Sequence, residues 1–140
     1  QDHMGCHILH SMRGTNVGRE FKVTLDYPCG FCGQATGSSQ GTCQVKIVGG
    51  CASSECSLSY RFRVSSASKV SVSKPCTNVP IACPLSGCGE IHWKYNFTHH
   101  LQDRHPNWRN TLAEPTLKTL ASRITISQEE EVAIGIPDNI

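Results

Sequence analysis

An α+β fold class follows from three observations. Cys83-x4-Cys88 is followed by eleven residues, His100, four residues and His105, the donor order of a Cys2His2 site. Cys29-x2-Cys32, with a glycine after each cysteine, has the spacing of a second metal knuckle. Short runs of period-two alternation predict strands, and proline and capping signals near the C-terminus predict helices. Together they describe a small zinc-stabilised domain. A short antiparallel sheet with a four-cysteine site joins a Cys2His2-type finger and a C-terminal helical tail.

Composition supports the role given to metal. Of 140 residues, 38% are hydrophobic and only 6% aromatic, thin for a core of this size, so something besides apolar burial must support the fold. Nine cysteines supply it, and their odd number and pairing with histidines point to metal in a reducing compartment rather than to disulfides. Two Zn2+ ions are expected. A net charge of +2 is mildly basic and does not by itself demand a nucleic acid. No apolar run is long enough to cross a bilayer and no signal peptide is visible, so no membrane partner is expected.

Along the chain, Gln1, Asp2, His3 and Met4 resemble a tag scar, and residues 1–19 read together as scar and flexible lead-in. Cys6, His7 and His10 lie in that arm, where Cys/His spacing alone is weak evidence for metal. Residues 20–76 form the sheet unit. Phe21, Val23 and Leu25 alternate with polar residues as a first strand, residues 35–41 read as a turn, and TCQVKIV is a second strand ended by Gly49 and Gly50. Leu58, Tyr60, Phe62 and Val64 share one face of a third strand, with Arg61 and Arg63 on the other. The serine-rich stretch after it is an edge strand or a loop, and prolines 75, 80 and 84 hold the next segment extended with little hydrogen bonding of its own.

Residues 77–110 form the finger. Glu90 to Trp93 should be extended, Asn96 should cap a helix reaching about His105, and Pro106 stops it. Phe97, His100 and Leu101 lie on its inward face. In the tail, residues 111–140, Leu117 to Arg123 form a short helix behind Pro115, and Ser127-x2-Glu130 opens another that closes at Gly135. Val132 and Ile136 are spaced to touch a core, and Glu129 to Glu131 read as a solvated acidic first turn.

Cys29 and Cys32 need two further ligands, and Cys43, Cys51, Cys56 and Cys76 compete for the places. Turns near Ser38 and Cys51 set Cys43 beside Cys32 and Cys56 beside Cys43, which favours Cys43 and Cys56. Cys76 substitutes if the serine-rich segment returns as a strand, and a Cys51/Cys56 pair also remains open.

At PCGFCG, PCTNVPIACPLSGC and WKYNFTHHLQDRHP the chain resembles a group of zinc-finger proteins from mushroom-forming fungi, often encoded near mobile elements. The resemblance spans about Tyr27 to Pro106. Its matching positions are Cys29, Cys32, Cys43, Cys56, Cys76, Cys83, Cys88, His100 and His105. Cys51 stands outside the pattern, and Cys83-x4-Cys88 departs from the group's Cys-Pro-x-Cys knuckle. The resemblance implies a zinc-binding, nuclear, DNA-associated module.

Three function classes follow. A finger docked like a DNA-reading one turns Trp93, Asn96 and His99 toward bases, while Lys94, Arg104 and Arg109, with Lys118 and Arg123, reach phosphates. Arg61 and Arg63, with Lys46 and Lys22, form a second basic patch. Double-stranded DNA is therefore the expected partner. The alternative is a zinc-stabilised protein-interaction or dimerisation module. A nuclease built on His99, His100 and Asn107 is disfavoured, because His100 and His105 are committed to metal and no carboxylate cluster remains for a catalytic cation. No catalytic residue and no small-molecule substrate are expected.

Overall fold

The computed structural model describes residues 1–14, 27–34 and 43–136. The strand expected over residues 21–26 and the turn over 35–41 lie outside them. The described residues combine helices with two small antiparallel sheets. None of the described helices is long and apolar enough to cross a membrane.

The chain begins with a helix, α1 (Asp2–Met12), which corrects the reading of residues 1–19 as a loose lead-in over this part. Met4, Ile8 and Leu9 recur on one helical face and are buried against Cys76 and Tyr95, with Ile126, Ile134 and Ile136 around them. Gly5, which should weaken a helix, is where the chain makes its closest approach: a Cβ there would stand 2.1 Å from Cys76 Sγ.

β1 (Val45–Val48) and β2 (Cys51–Ser54) form a hairpin around Gly49 and Gly50, at φ 57° and 78°. Positive φ at both central residues is the two-residue turn whose twist matches paired strands. Val45 faces Ser54, so Val45 and Ile47 turn inward while Lys46 and Val48 turn out. The polar CASS run is thus a strand rather than a turn. β3 (Phe62–Arg63) adds to β2, but the strand expected from Leu58 to Val64 is only these two residues long. Ser59 explains the shortening: its N–H donates to Cys56 O and its hydroxyl to Ser54 O, folding residues 56–59 into a turn. Leu58 and Tyr60 are left exposed, and Val64 starts the short helix α2 (Val64–Ala67) in the serine-rich stretch.

β4 (Pro80–Ala82) and β5 (Ile91–Trp93) pair antiparallel and lead into α3 (Lys94–Arg104). The segment after Pro75 therefore does hydrogen-bond. Pro80, lacking an N–H, is accommodated in a two-stranded sheet, where every strand is an edge. α3 starts two residues before Asn96. The cap is Trp93 backbone, and Asn96 sits in the first turn with its amide donating to Pro28 O at 2.9 Å, so the predicted N-cap is corrected. Ile81, Phe97, Leu101, Trp108 and Leu120 form the core beneath α3.

The tail holds α4 (Trp108–Thr111), α5 (Glu114–Ile124) and α6 (Gln128–Ile134). Ser127 Oγ accepts from Glu130 N at 3.1 Å, and Gly135 closes α6 at φ 93°. Two expectations fail here. Val132 is 61% exposed, because Ile134 and Ile136 take the inward positions, and Glu130 is buried rather than solvated.

Candidate metal centres

Cys29, Cys32, Cys43 and Cys56 converge, their sulfurs within 4.8 Å of one another. The β1–β2 register achieves half of this. Continuing the Val45–Ser54 pairing two residues outward sets Cys43 against Cys56. The knuckle supplies the rest: Gly33 N donates to Cys29 O at 2.8 Å and Phe31 N to Cys29 Sγ at 3.4 Å, wrapping the turn around that sulfur. Gly30 has a different task, since a Cβ there would meet the Trp93 ring at 2.5 Å. Trp93 and Phe31 thereby close over the cluster.

Cys83, Cys88, His100 and His105 converge in the same way. Cys83 follows β4, Cys88 lies in the turn to β5, His100 is on α3 and His105 ends it. Cys83 N donates to Glu90 O and Cys88 N to Leu85 O, which fixes the loop between the cysteines. Glu90, His92 and His100 form a third convergence. The rings of His92 and His100 stack at 4.1 Å and 29°, so their in-plane lone pairs run side by side instead of meeting on one ion. His92 is engaged by Glu90 at 3.1 Å, and Glu90 also faces Arg104 at 3.7 Å.

The donor sets fit a metal. None of the cysteines is in a disulfide, and Cys32 Sγ and Cys43 Sγ stand 3.8 Å apart, far beyond S–S bonding distance. His105 Nε2 is buried without a hydrogen-bond partner among the described residues. A buried nitrogen left unpaired is costly, and an ion relieves that cost for a donor facing the cluster. Burial pushes the Cys43 and Cys83 thiols up to about 11 and Cys29 higher still. At Cys32 burial also acts upward, but hydrogen bonds from Gln34 N–H and the neighbouring thiols outweigh it and lower the value. Burial, with His92 and His105 adding to it, pushes His100 down to about 4, so the imidazole is neutral and free to ligate at neutral pH.

Eight of the nine predicted ligands fall into these two clusters. Cys76 does not. It is buried beside α1, accepting from Asn78 N at 3.3 Å and Tyr95 Oη at 3.4 Å. Of the residues expected on nucleic acid, Trp93, Lys94 and Asn96 are buried, a correction with one cause. α3 packs its N-terminal turn onto the first cysteine cluster and the tail, so those positions serve the core. His99, Arg104 and Arg109 are exposed, with Arg109 lying over the Trp108 ring at 4.5 Å.

Sequence reasoning missed the buried polar cluster around Glu130. Its carboxylate accepts from Thr77 N at 2.9 Å, from the Thr77 hydroxyl and from Tyr95 Oη, and Lys94 Nζ lies 3.6 Å away. Glu130 is 1% exposed and pins α6 to the start of α3. Nothing local marks it out from Glu129 and Glu131. No protein-family model, curated protein or solved structure matches the chain.

Proposed function

We propose that the chain is a zinc-stapled nucleic-acid-binding module, with one Zn2+ in each four-donor cluster and double-stranded DNA as its target. The observation that carries the zinc reading is the spacing of the donors. Zinc binds thiolate sulfur at about 2.3 Å and imidazole nitrogen at about 2.0–2.1 Å, so a tetrahedron has S–S edges of about 3.8 Å and S–N edges of about 3.6 Å. Cys32 Sγ and Cys43 Sγ are 3.8 Å apart, and Cys88 Sγ and His100 Nε2 are 3.6 Å apart. Four cysteines, or two cysteines with two histidines, are the donor sets of structural zinc, and four protein ligands leave no open position for a reacting water. Zinc here supplies cross-links, and the proposed role is binding rather than catalysis.

The nucleic-acid reading, with the nuclear location and the kinship to fungal zinc-finger proteins, is supported by the sequence resemblance and by exposed cations such as Arg61, Arg63 and Arg123. A protein-interaction module is the second reading, favoured by Leu58 and Val132, which stand 59% and 61% exposed. Native mass spectrometry should find two zinc ions per chain, and duplex DNA affinity should fall steeply with added salt. A chain that holds no zinc, or that ignores duplex DNA at low salt, would sink the proposal.

A further inference from the structure

The net charge of +2 conceals a strong asymmetry. Residues 43–82 hold five of the thirteen Lys and Arg residues but only one of the eleven Asp and Glu residues. The sheet sorts three of these cations, Lys46, Arg61 and Arg63, onto one side. Phe62 turns its ring inward onto Trp93 and Phe31, so the flanking Arg61 and Arg63 point away from the core, and both are exposed. Two alternate residues of an extended chain place their side chains about 7 Å apart on one face. Lys46 leaves the outer face of β1, opposite Ser53. The single acid of the segment, Glu55, lies just past the end of β2.

A groove opens behind this face, on the side to which Ile47 and Phe62 turn. It runs between the hairpin tip at Gly50, α2 and α5, with a volume of about 540 Å3, on the scale of ligand sites, and it is the largest of the described cavities. Its floor includes Ile47 and Val64, its rim carries Ser65, Ser68, Ser122 and Arg123, and no carboxylate lines it. Gly50 links groove and sheet, because Arg63 Nη1 lies 3.9 Å from where a Gly50 Cβ would be. Lys46, Arg61, Arg63 and Arg123 have no ion-pair partner among the described residues. Elsewhere carboxylates are interleaved with the cations: Glu90 faces Arg104, Glu131 faces Arg13 and Glu114 faces Lys118. Asp103 also lies on α3 next to Arg104, which makes the finger helix a poor surface for a polyanion.

We infer that the outer face of the β1–β2–β3 sheet, with Lys46, Arg61 and Arg63, is where this chain holds the phosphate backbone of double-stranded DNA. The inference rests on the nucleic-acid reading above and names its surface. Unpaired guanidinium groups on a carboxylate-poor face match phosphate oxygens, and contacts of this kind position a duplex without reading its bases.

The test is anisotropy of a short labelled duplex over a salt series, using the zinc-loaded chain. Losing two phosphate contacts in Arg61→Ala/Arg63→Ala should make the log–log salt slope shallower by about 1.8, so the affinity lost between roughly 50 and 200 mM salt shrinks about twelvefold. Arg61→Lys/Arg63→Lys should keep most of the slope, which separates lost charge from lost fold. Arg104→Ala/Arg109→Ala should leave the slope where it was. The inference is overturned if the wild type shows a salt slope that the Arg61/Arg63 pair does not alter, or that the Arg104/Arg109 pair abolishes. A wild type with no salt-dependent binding defeats the nucleic-acid reading itself, and the inference with it.

Discussion

Replacing one sulfur by oxygen in Cys83→Ser should cost the chain its second half. Cys83 is buried at 8% exposure in the core with Phe97 and Leu101, and serine is close to isosteric, so the loss is not one of packing. On the zinc reading it is loss of the ion. Structural zinc contributes about 10–16 kcal/mol of apparent binding free energy at neutral pH. A domain of this size has only about 5–15 kcal/mol of total stability. Loss of the ion therefore removes a free energy comparable with the whole stability of the fold. The damage should also spread, because Trp93 and Asn96 lie between the ligands Cys88 and His100, and both pack on the other centre, Trp93 against Gly30 and Asn96 on Pro28 O. Native mass spectrometry and far-UV circular dichroism are the readouts, with Cys51→Ser as control because Cys51 belongs to neither cluster. The control should keep two ions and its helical signal, whereas Cys83→Ser should hold at most one ion and lose much of that signal. Two retained ions with an unchanged spectrum would refute the reasoning.

Glu130→Ala removes a buried acceptor from Thr77, Tyr95 and Lys94, and should lower stability by about 3–5 kcal/mol in urea unfolding of the zinc-loaded chain; a loss under about 1 kcal/mol would show that the cluster is not a fixed contact. Gly30→Ala drives a methyl into the Trp93 ring and should cost about 1–3 kcal/mol while weakening metal retention at the first centre, measured by chelator competition. Zinc uptake should expel protons. In the metal-free chain burial holds the Cys43 and Cys83 thiols near 11, so both are protonated at neutral pH, and each should give up a proton on ligation. His100, already neutral, adds none. Affinity should therefore fall as pH falls, and calorimetry in two buffers of different ionisation enthalpy measures the release; near-zero release would contradict thiolate ligation.

The second centre was legible in the sequence because its four donors lie within one short hairpin-and-helix unit, where spacing alone fixes their approach. The first centre was legible only through its hairpin. Gly49 and Gly50 set the register that brings Cys43 to Cys56, although the polar CASS run hides the second strand. Where local signals failed, a distant partner decided. Asn96 is a good cap by type, yet its amide goes to Pro28 O. α1 looks aperiodic until Cys76, Ile126 and Ile134, all from far along the chain, supply the surface it covers. Glu130 reads as one of three exposed acids, and only Thr77, Lys94 and Tyr95 single it out.

Both sides of α3 are committed, and that commitment has a functional consequence. Phe97 and Leu101 turn to the core beneath α3, and His100 to the cluster with Cys83, Cys88 and His105. Tyr95 and Asn96 turn to α1 and the first knuckle, and Lys94 to the tail. A DNA-reading finger leaves the start of its helix free to enter the major groove. Here that turn is buried, and the surface beyond it carries Asp103 as well as Arg104. Tertiary packing has thus made the start of α3 an internal support, and on the proposed nucleic-acid reading any duplex contact falls to the cationic sheet. Arginine and lysine on phosphates carry no base information. The chain should therefore bind unrelated duplex sequences with nearly equal affinity at a given salt concentration, and discrimination of tenfold or more between them would return the task to base contacts.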